Sequence, residues 1–278
     1  MTTRLSFKTG SHATDWESLR AVWRRGDELD RLHAGWVNDH LYNPFYPNGA
    51  ETTRCYESFT LLAALAVETS RVRLGTMVAA NLFRHPALLA KMAITIDHIS
   101  GGRFELGIGA GWHEEEHADH GLLLHPVASR VDAFEEAVQI VSSLLRNETT
   151  TFDGRHYRLH DAKSDPAPIQ DEMPLLIGGS KPRMLLIVAR HADHWNVDGS
   201  DAHRFARSLA DLREACRRVG RDESEIERSV QFWIGKDIGK ARAKAEALIE
   251  AGAEHLILSF ISATPELLTE TVEALADL

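Results

Sequence analysis

A chain of 278 residues with 44% hydrophobic side chains is long enough to fill the core of one α/β barrel, and one domain over residues 1–278 is the expectation. Its formal charge of −10 argues against a nucleic-acid partner, because phosphate backbones are bound by clustered Lys and Arg that an acidic chain lacks. No apolar run approaches the roughly 20 residues that cross a bilayer, and the first residues hold no signal-peptide core, so a cytoplasmic protein without a membrane partner is expected.

Short apolar runs without strict alternation recur at 5–8, 35–37, 72–78, 104–109, 175–178, 192–197, 230–234 and 255–259. Each is followed by a segment of helical period, as strands buried on both faces by flanking helices would read. Eight such units with no break in composition predict a closed (β/α)8 TIM barrel, where an open doubly wound sheet more often has five or six strands. The helices carry apolar faces, Phe134, Val138, Val141 and Leu145 on one and Phe205, Leu209, Leu212 and Cys216 on another. Pro86 and Pro265 sit at first-turn positions, with Thr264 as an N-cap.

The interval between the fourth and fifth strands is long. After a helix over 129–146 it holds β-rich runs at 149–152 and 156–159 around Asp153-Gly154, which predict a β-hairpin excursion. The segment 163–174, with Pro166, Pro168 and Pro174, has no period and reads as a loop, a candidate flap over the site. Cys55 and Cys216 stand far apart in helix-like contexts and read as packing residues of a reducing compartment.

In a barrel of this kind the site gathers where the strands end, so the residues just past each run are the candidates. Asp39 and His40 pair a carboxylate with an imidazole, suited to hydrogen bonding a heterocycle and handling a proton near neutral pH. Gly178-Gly179-Ser180-Lys181 offers backbone N–H groups and one cation to an anion at a helix start. Gly107, Gly109 and Gly111 let main chain approach a ligand closely, but Trp112 stands where a dinucleotide fingerprint has its third glycine, which excludes a nicotinamide-binding unit of that type. His113-Glu-Glu-Glu-His117 matches the zinc-protease spelling. With no adjacent apolar helix face and no evident third ligand, it reads instead as an acidic, solvated first turn, and no metal site is expected. His12, His33, His156, His160 and His203 read as surface or loop residues.

Taken together, Trp36-Val-Asn-Asp-His40, Leu74-Gly-Thr-Met-Val78, Phe83-Arg-His-Pro-Ala-Leu-Leu-Ala-Lys91, Asp97-His-Ile-Ser-Gly-Gly-Arg103, Leu106-Gly-Ile-Gly-Ala-Gly-Trp112, Ile177-Gly-Gly179 and Ala192-Asp-His-Trp-Asn196 resemble the luciferase-like flavin and deazaflavin oxidoreductases. The likeness spans nearly the whole chain and is strongest to the subgroup that uses the deazaflavin coenzyme F420. It implies a luciferase-like barrel in which Asp39 and the backbone of Met77 and Val78 contact the ring. It implies further that Ala110, Gly111 and Trp112 line the cofactor and that Gly178, Gly179 and Ser180 hold its phosphate-bearing tail. A non-proline cis peptide at Met77–Val78 belongs to the same pattern. Sugar-phosphate dehydrogenases of the family carry an acidic proton donor where Trp112 stands, which leaves His40 as the acid–base candidate. The expected function is hydride transfer between F420 and a small organic substrate. The alternatives are an FMN-dependent monooxygenase of the same fold and a metal-dependent hydrolase built on His113 and His117. A homodimer is the family's common form, and loops 41–56 and 160–173 are expected to shape the substrate pocket.

Overall fold

Runs of side chains buried on both faces become strands in the computed structural model, which describes residues 3–45, 52–199, 201–235 and 237–278. The first half of the chain forms β1 (Arg4–Thr9), α1 (Trp16–Glu28), β2 (Leu32–Val37), α2 (Ser58–Glu68), β3 (Arg73–Thr76), the two-residue β4 (Ala79–Ala80), α3 (Pro86–Ser100), β5 (Phe104–Gly109), α4 (Glu114–Asp119) and α5 (Val127–Arg146). A hairpin of β6 (Thr149–Asp153) and β7 (Arg158–Lys163) follows. Then come β8 (Leu175–Gly178), α6 (Pro182–His191), β9 (His194–Asp198), α7 (Ala202–Val219), β10 (Glu227–Trp233), α8 (Ile238–Glu250), β11 (His255–Phe260) and α9 (Pro265–Ala274).

The strands pair in the order β3-β2-β1-β11-β10-β9-β8-β5, and β3 pairs again with β5 through Leu74 opposite Phe104 and Gly75 opposite Glu105. Every one of these pairings is parallel, so the sheet closes on itself as an eight-stranded barrel. The helix faces expected from the sequence are buried: Phe134, Val138, Val141 and Leu145 on α5, and Phe205, Leu209, Leu212 and Cys216 on α7. Thr264 Oγ1 caps α9 by accepting from Leu267 N at 3.2 Å, with Pro265 in the first turn. Inside the barrel, Ala34, Trp36, Met77, Leu176 and Ile257 form an apolar plug. Above it the carboxyl ends of the strands open into a cavity.

Several expectations need correction. The third strand ends at Thr76 and not at residue 78, and the Met77–Val78 peptide that follows is cis. The chain leaves the sheet and rejoins it only at Ala79–Ala80, opposite Ile108 and Gly109. The second strand starts at Leu32, ahead of the expected residue 35, its polar His33 having hidden the pattern. Asp193 precedes the sixth barrel strand, accepting from Leu175 N at 2.9 Å.

The hairpin is longer than a two-residue turn, since Asp153 pairs with Arg158. The Glu136 carboxylate accepts from Arg155 N, His156 N and Tyr157 N at 2.9, 2.8 and 3.1 Å and so holds the connecting loop. The proline-rich loop is not a flap over the cavity. Asp97 accepts from Ile169 N at 2.8 Å and from Gln170 Nε2 at 2.7 Å, and Gln170 Nε2 also reaches Phe104 O, at the start of β5, which ties the loop to the opposite end of the barrel. Cys55 is in no helix; it pairs with His12 in an isolated bridge. His12 is buried and not a surface residue.

Candidate active site

A cavity of about 480 Å³ lies at the carboxyl ends of the strands. Its walls come from Lys8 on β1, Asn38, Asp39 and His40 after β2, Met77 to Ala80, Gly111 to His113, Gly178 and Gly179, Asn196 and Asp198, and Gln231 and Trp233. Of the residues singled out from sequence, Asp39, His40, Met77, Val78, Gly111, Trp112, Gly178 and Gly179 share this wall. Ala110 packs on the core, and Ser180 lies outside the lining. Of the loop 41–56, Pro44 and Phe45 reach the cavity, while residues 46–51 lie outside the described residues.

Asp39 is 4% exposed and its oxygens are already engaged. Oδ1 accepts from Ser58 Oγ at 2.6 Å and Arg84 Nη2 at 3.0 Å; Oδ2 accepts from Ala80 N at 2.9 Å and Arg84 Nη1 at 2.7 Å. A carboxylate so occupied fixes the backbone after the bulge and has little capacity left for a ligand.

The glycines of β5 have a related duty. A Cβ at Gly107 would stand 2.0 Å from the Thr76 carbonyl oxygen, and one at Gly109 would stand 2.6 Å from Val78 Cγ2. These two glycines therefore make room for the neighbouring bulge, which Thr76 Oγ1 braces by donating to Gly107 O at 2.7 Å. Gly111 and Gly179 differ: with φ of 80° and 133° they hold left-handed backbone at the cavity wall, where a side chain would be strained.

His40 lines the cavity and is tied to a buried carboxylate. Its Nδ1 is 2.9 Å from Glu116 Oε2, and Glu116 Oε1 accepts from Leu41 N at 2.6 Å. Burial pushes the Glu116 carboxyl up, but hydrogen bonding and charge from His40, with the backbone N–H of Leu41 and Tyr42, bring it below its ordinary value. An ionised carboxylate only accepts, so Nδ1 carries the proton and Nε2 is left as the ring's acceptor.

Glu116 and His117 are each 1% exposed, so the expected solvated first turn is wrong for both. They face inward because α4 starts at Glu114 with His113 as its cap. His113 Nδ1 accepts from Glu116 N at 3.1 Å, and His117 Nδ1 donates to His113 O at 2.9 Å. The zinc-protease spelling thus serves to cap a helix and seat a carboxylate. His117 Nε2, a buried acceptor on a wall residue of the cavity, has no partner among the described residues.

Sequence reasoning missed Lys8, Glu116 and Gln231. Lys8 Nζ donates to Gln231 Oε1 at 2.7 Å, and burial pulls its pKa down to about 8 against the pull of Asp198. A charged residue two positions after Ser6 in a short apolar strand was the available signal, since alternate residues share a face. Trp112 is 65% exposed beside His40, with ring centroids 5.8 Å apart. The α6 start has no side-chain cap, and its N-cap residue, Lys181, is exposed.

Residues 3–275 match the family model of the luciferase-like monooxygenases. Pyrimidine monooxygenase RutA of Klebsiella pneumoniae subsp. pneumoniae is 33% identical over 213 residues, 74% of this chain. The alignment spans 57% of that relative's length. Among solved structures, an F420-dependent secondary alcohol dehydrogenase in complex with an F420-acetone adduct superposes with a TM-score of 0.87 at 18% identity, covering 99% of each chain. A long-chain alkane monooxygenase, LadA, superposes at 0.82 with 12% identity, covering 100% of this chain and 91% of its own. At these identities the structural matches speak for the fold alone.

Proposed function

This chain belongs to the luciferase-like monooxygenase family, and from that premise we propose that it is an oxidoreductase moving a hydride between coenzyme F420 and a small alcohol or carbonyl compound. One observation carries the reading: the cavity wall holds an imidazole whose Nδ1 is bound to a buried carboxylate 2.9 Å away. Oxidation of an alcohol removes a proton from oxygen as a hydride leaves carbon, and an imidazole with a fixed tautomer suits that proton.

The residues present fit the cofactor. Gly111 and Gly179 offer bare backbone to a flat ring, and His117 Nε2 is a buried acceptor awaiting a donor. The uncapped start of α6, with exposed Lys181, suits an anionic tail. When bound, F420 supplies the two-electron hydride chemistry. His40 Nε2 takes the hydroxyl proton in oxidation and returns it in reduction. Glu116 stabilises the imidazolium that forms, and the plug of Trp36, Met77, Leu176 and Ile257 closes the cavity floor to water. Trp112, exposed at the mouth, covers the substrate.

The similarity to RutA favours a second reading, an FMN-dependent monooxygenase acting on a small heterocycle. Incubating the protein with reduced or oxidised F420 and a panel of secondary alcohols and ketones separates the two. F420-linked turnover that falls roughly 10²- to 10⁴-fold in His40→Ala supports the proposal; turnover that needs reduced FMN and oxygen replaces it with the second reading.

A further inference from the structure

At the end of the barrel away from the cavity, His194 opens β9, Glu227 opens β10 and His255 opens β11. The cavity residues Asn196, Asp198, Gln231 and Trp233 lie further along two of these same strands. One ligand atom from each of the three side chains lies within 4.8 Å of the other two. His194 Nδ1 is 4.0 Å from Glu227 Oε2, and His255 Nδ1 is 3.1 Å from Glu227 Oε1.

The histidines are 2% and 0% exposed, yet neither nitrogen of His194 has a hydrogen-bond partner among the described residues. His255 Nδ1 has none of acceptable geometry either, despite its closeness to Glu227. Buried ring nitrogens left bare are costly, so His194 Nδ1 and His255 Nδ1, both beside one carboxylate, call for an occupant. His255 Nε2 is held by Ser6 Oγ at 2.7 Å, which turns Nδ1 toward Glu227 in the way an outer partner orients a metal-bound imidazole.

We propose that His194, Glu227 and His255 bind one zinc-class divalent cation that ties β9, β10 and β11 together at the amino-terminal end of the barrel. Two imidazoles and a carboxylate form a zinc donor set, whereas Ca²⁺ and Mg²⁺ take oxygen ligands. Burial disfavours the charged form of both rings, and ligation requires neutral rings. Glu227, a quarter exposed, opens the way in. Arg4, whose Nη1 is 2.6 Å from Glu227 Oε1 and whose side chain is about half exposed, must give way to the ion.

Metal-free protein is titrated with Zn²⁺ by calorimetry and with Co²⁺ by absorption. Melting temperature is followed with and without Zn²⁺, using Mg²⁺ as a control. The expected result is one equivalent of Zn²⁺ bound and a raised melting temperature. Affinity should fall in His194→Ala and Glu227→Gln by more than the roughly 10–100-fold that loss of an outer partner costs. Arg4→Ala, at an exposed residue, should fold and tighten binding by removing a competing cation. The proposal is overturned if the wild type binds no Zn²⁺ saturably, or if His194→Ala and Glu227→Gln bind it as the wild type does. Loss of binding in a His113→Ala/His117→Ala double variant while His194→Ala still binds would overturn it as well. Should the ligand variants fail to fold, unchanged affinity in Arg4→Ala overturns it.

Discussion

His40 and Glu116, 76 residues apart in sequence, meet with Nδ1 and Oε2 2.9 Å apart and join the end of β2 to the middle of α4. His40→Ala should lower kcat by roughly 10²–10⁴, the contribution of a positioned general base. Glu116→Gln keeps the shape but removes the charge that stabilises imidazolium, and should cost part of that, about 10- to 100-fold, mainly in kcat. Steady-state kinetics with near-native rates in both variants would remove the pair from the mechanism.

Arg84 is 9% exposed and bridges Asp39 and Glu57. Arg84→Met leaves the nearly buried Asp39 carboxylate without its cation and should cost about 3–5 kcal/mol of stability. A urea midpoint close to wild type would show that Ser58 and the Ala80 N–H satisfy Asp39 without it.

Gly107→Ala should destabilise by about 3 kcal/mol or more, because the new Cβ would meet the Thr76 carbonyl oxygen, which the sheet cannot move aside. Gly199→Ala is the control: nothing lies within 4 Å of its Cβ position, and the change should stay within about 0.5 kcal/mol. Denaturant curves for the two variants check the contrast.

How much of this was legible in the chain depends on the range of the interaction involved. The strand tips were legible because Val37-Asn38-Asp39-His40 and Ile177-Gly178-Gly179 each pass from apolar to polar within one short run, and barrel geometry puts such points on one rim. Glu116 was not: three consecutive glutamates look alike until His40, far away in sequence, selects the one that faces inward. The glycine alternation of β5 was visible but read as serving a ligand, whereas Gly107 and Gly109 serve Thr76 and Val78 on the neighbouring chain segment. The proline-rich loop shows the same limit, since only Asp97 and Gln170 fix which end of the barrel it covers.

Acid should expose Glu105. Burial alone would raise its pKa, but His33 and Arg73 hold it at about 2, below the ordinary 4.5. A depressed folded-state pKa contributes stability that is complete above about pH 4.5 and is lost as pH falls toward 2, on the order of 3 kcal/mol at about 1.4 kcal/mol per unit. Stability measured from pH 5 to pH 2 should therefore fall less steeply in Glu105→Gln than in the wild type; equal slopes would contradict the assignment.

Burial pushes the Cys55 thiol up to about 11, and Cys216 is raised as well and is 2% exposed. Alkylation by iodoacetamide at pH 8 should be at least about 100-fold slower in the folded protein than for a free thiol, because the thiolate is the nucleophile. Rapid modification of Cys55 without unfolding would show that the thiol is accessible and ionised.

The most direct measurement of the central claim is titration of F420 fluorescence with the purified protein in the presence of excess FMN. Saturable quenching at one F420 per chain, undisturbed by FMN, is the predicted result. Tight FMN binding with no change in F420 emission would contradict it.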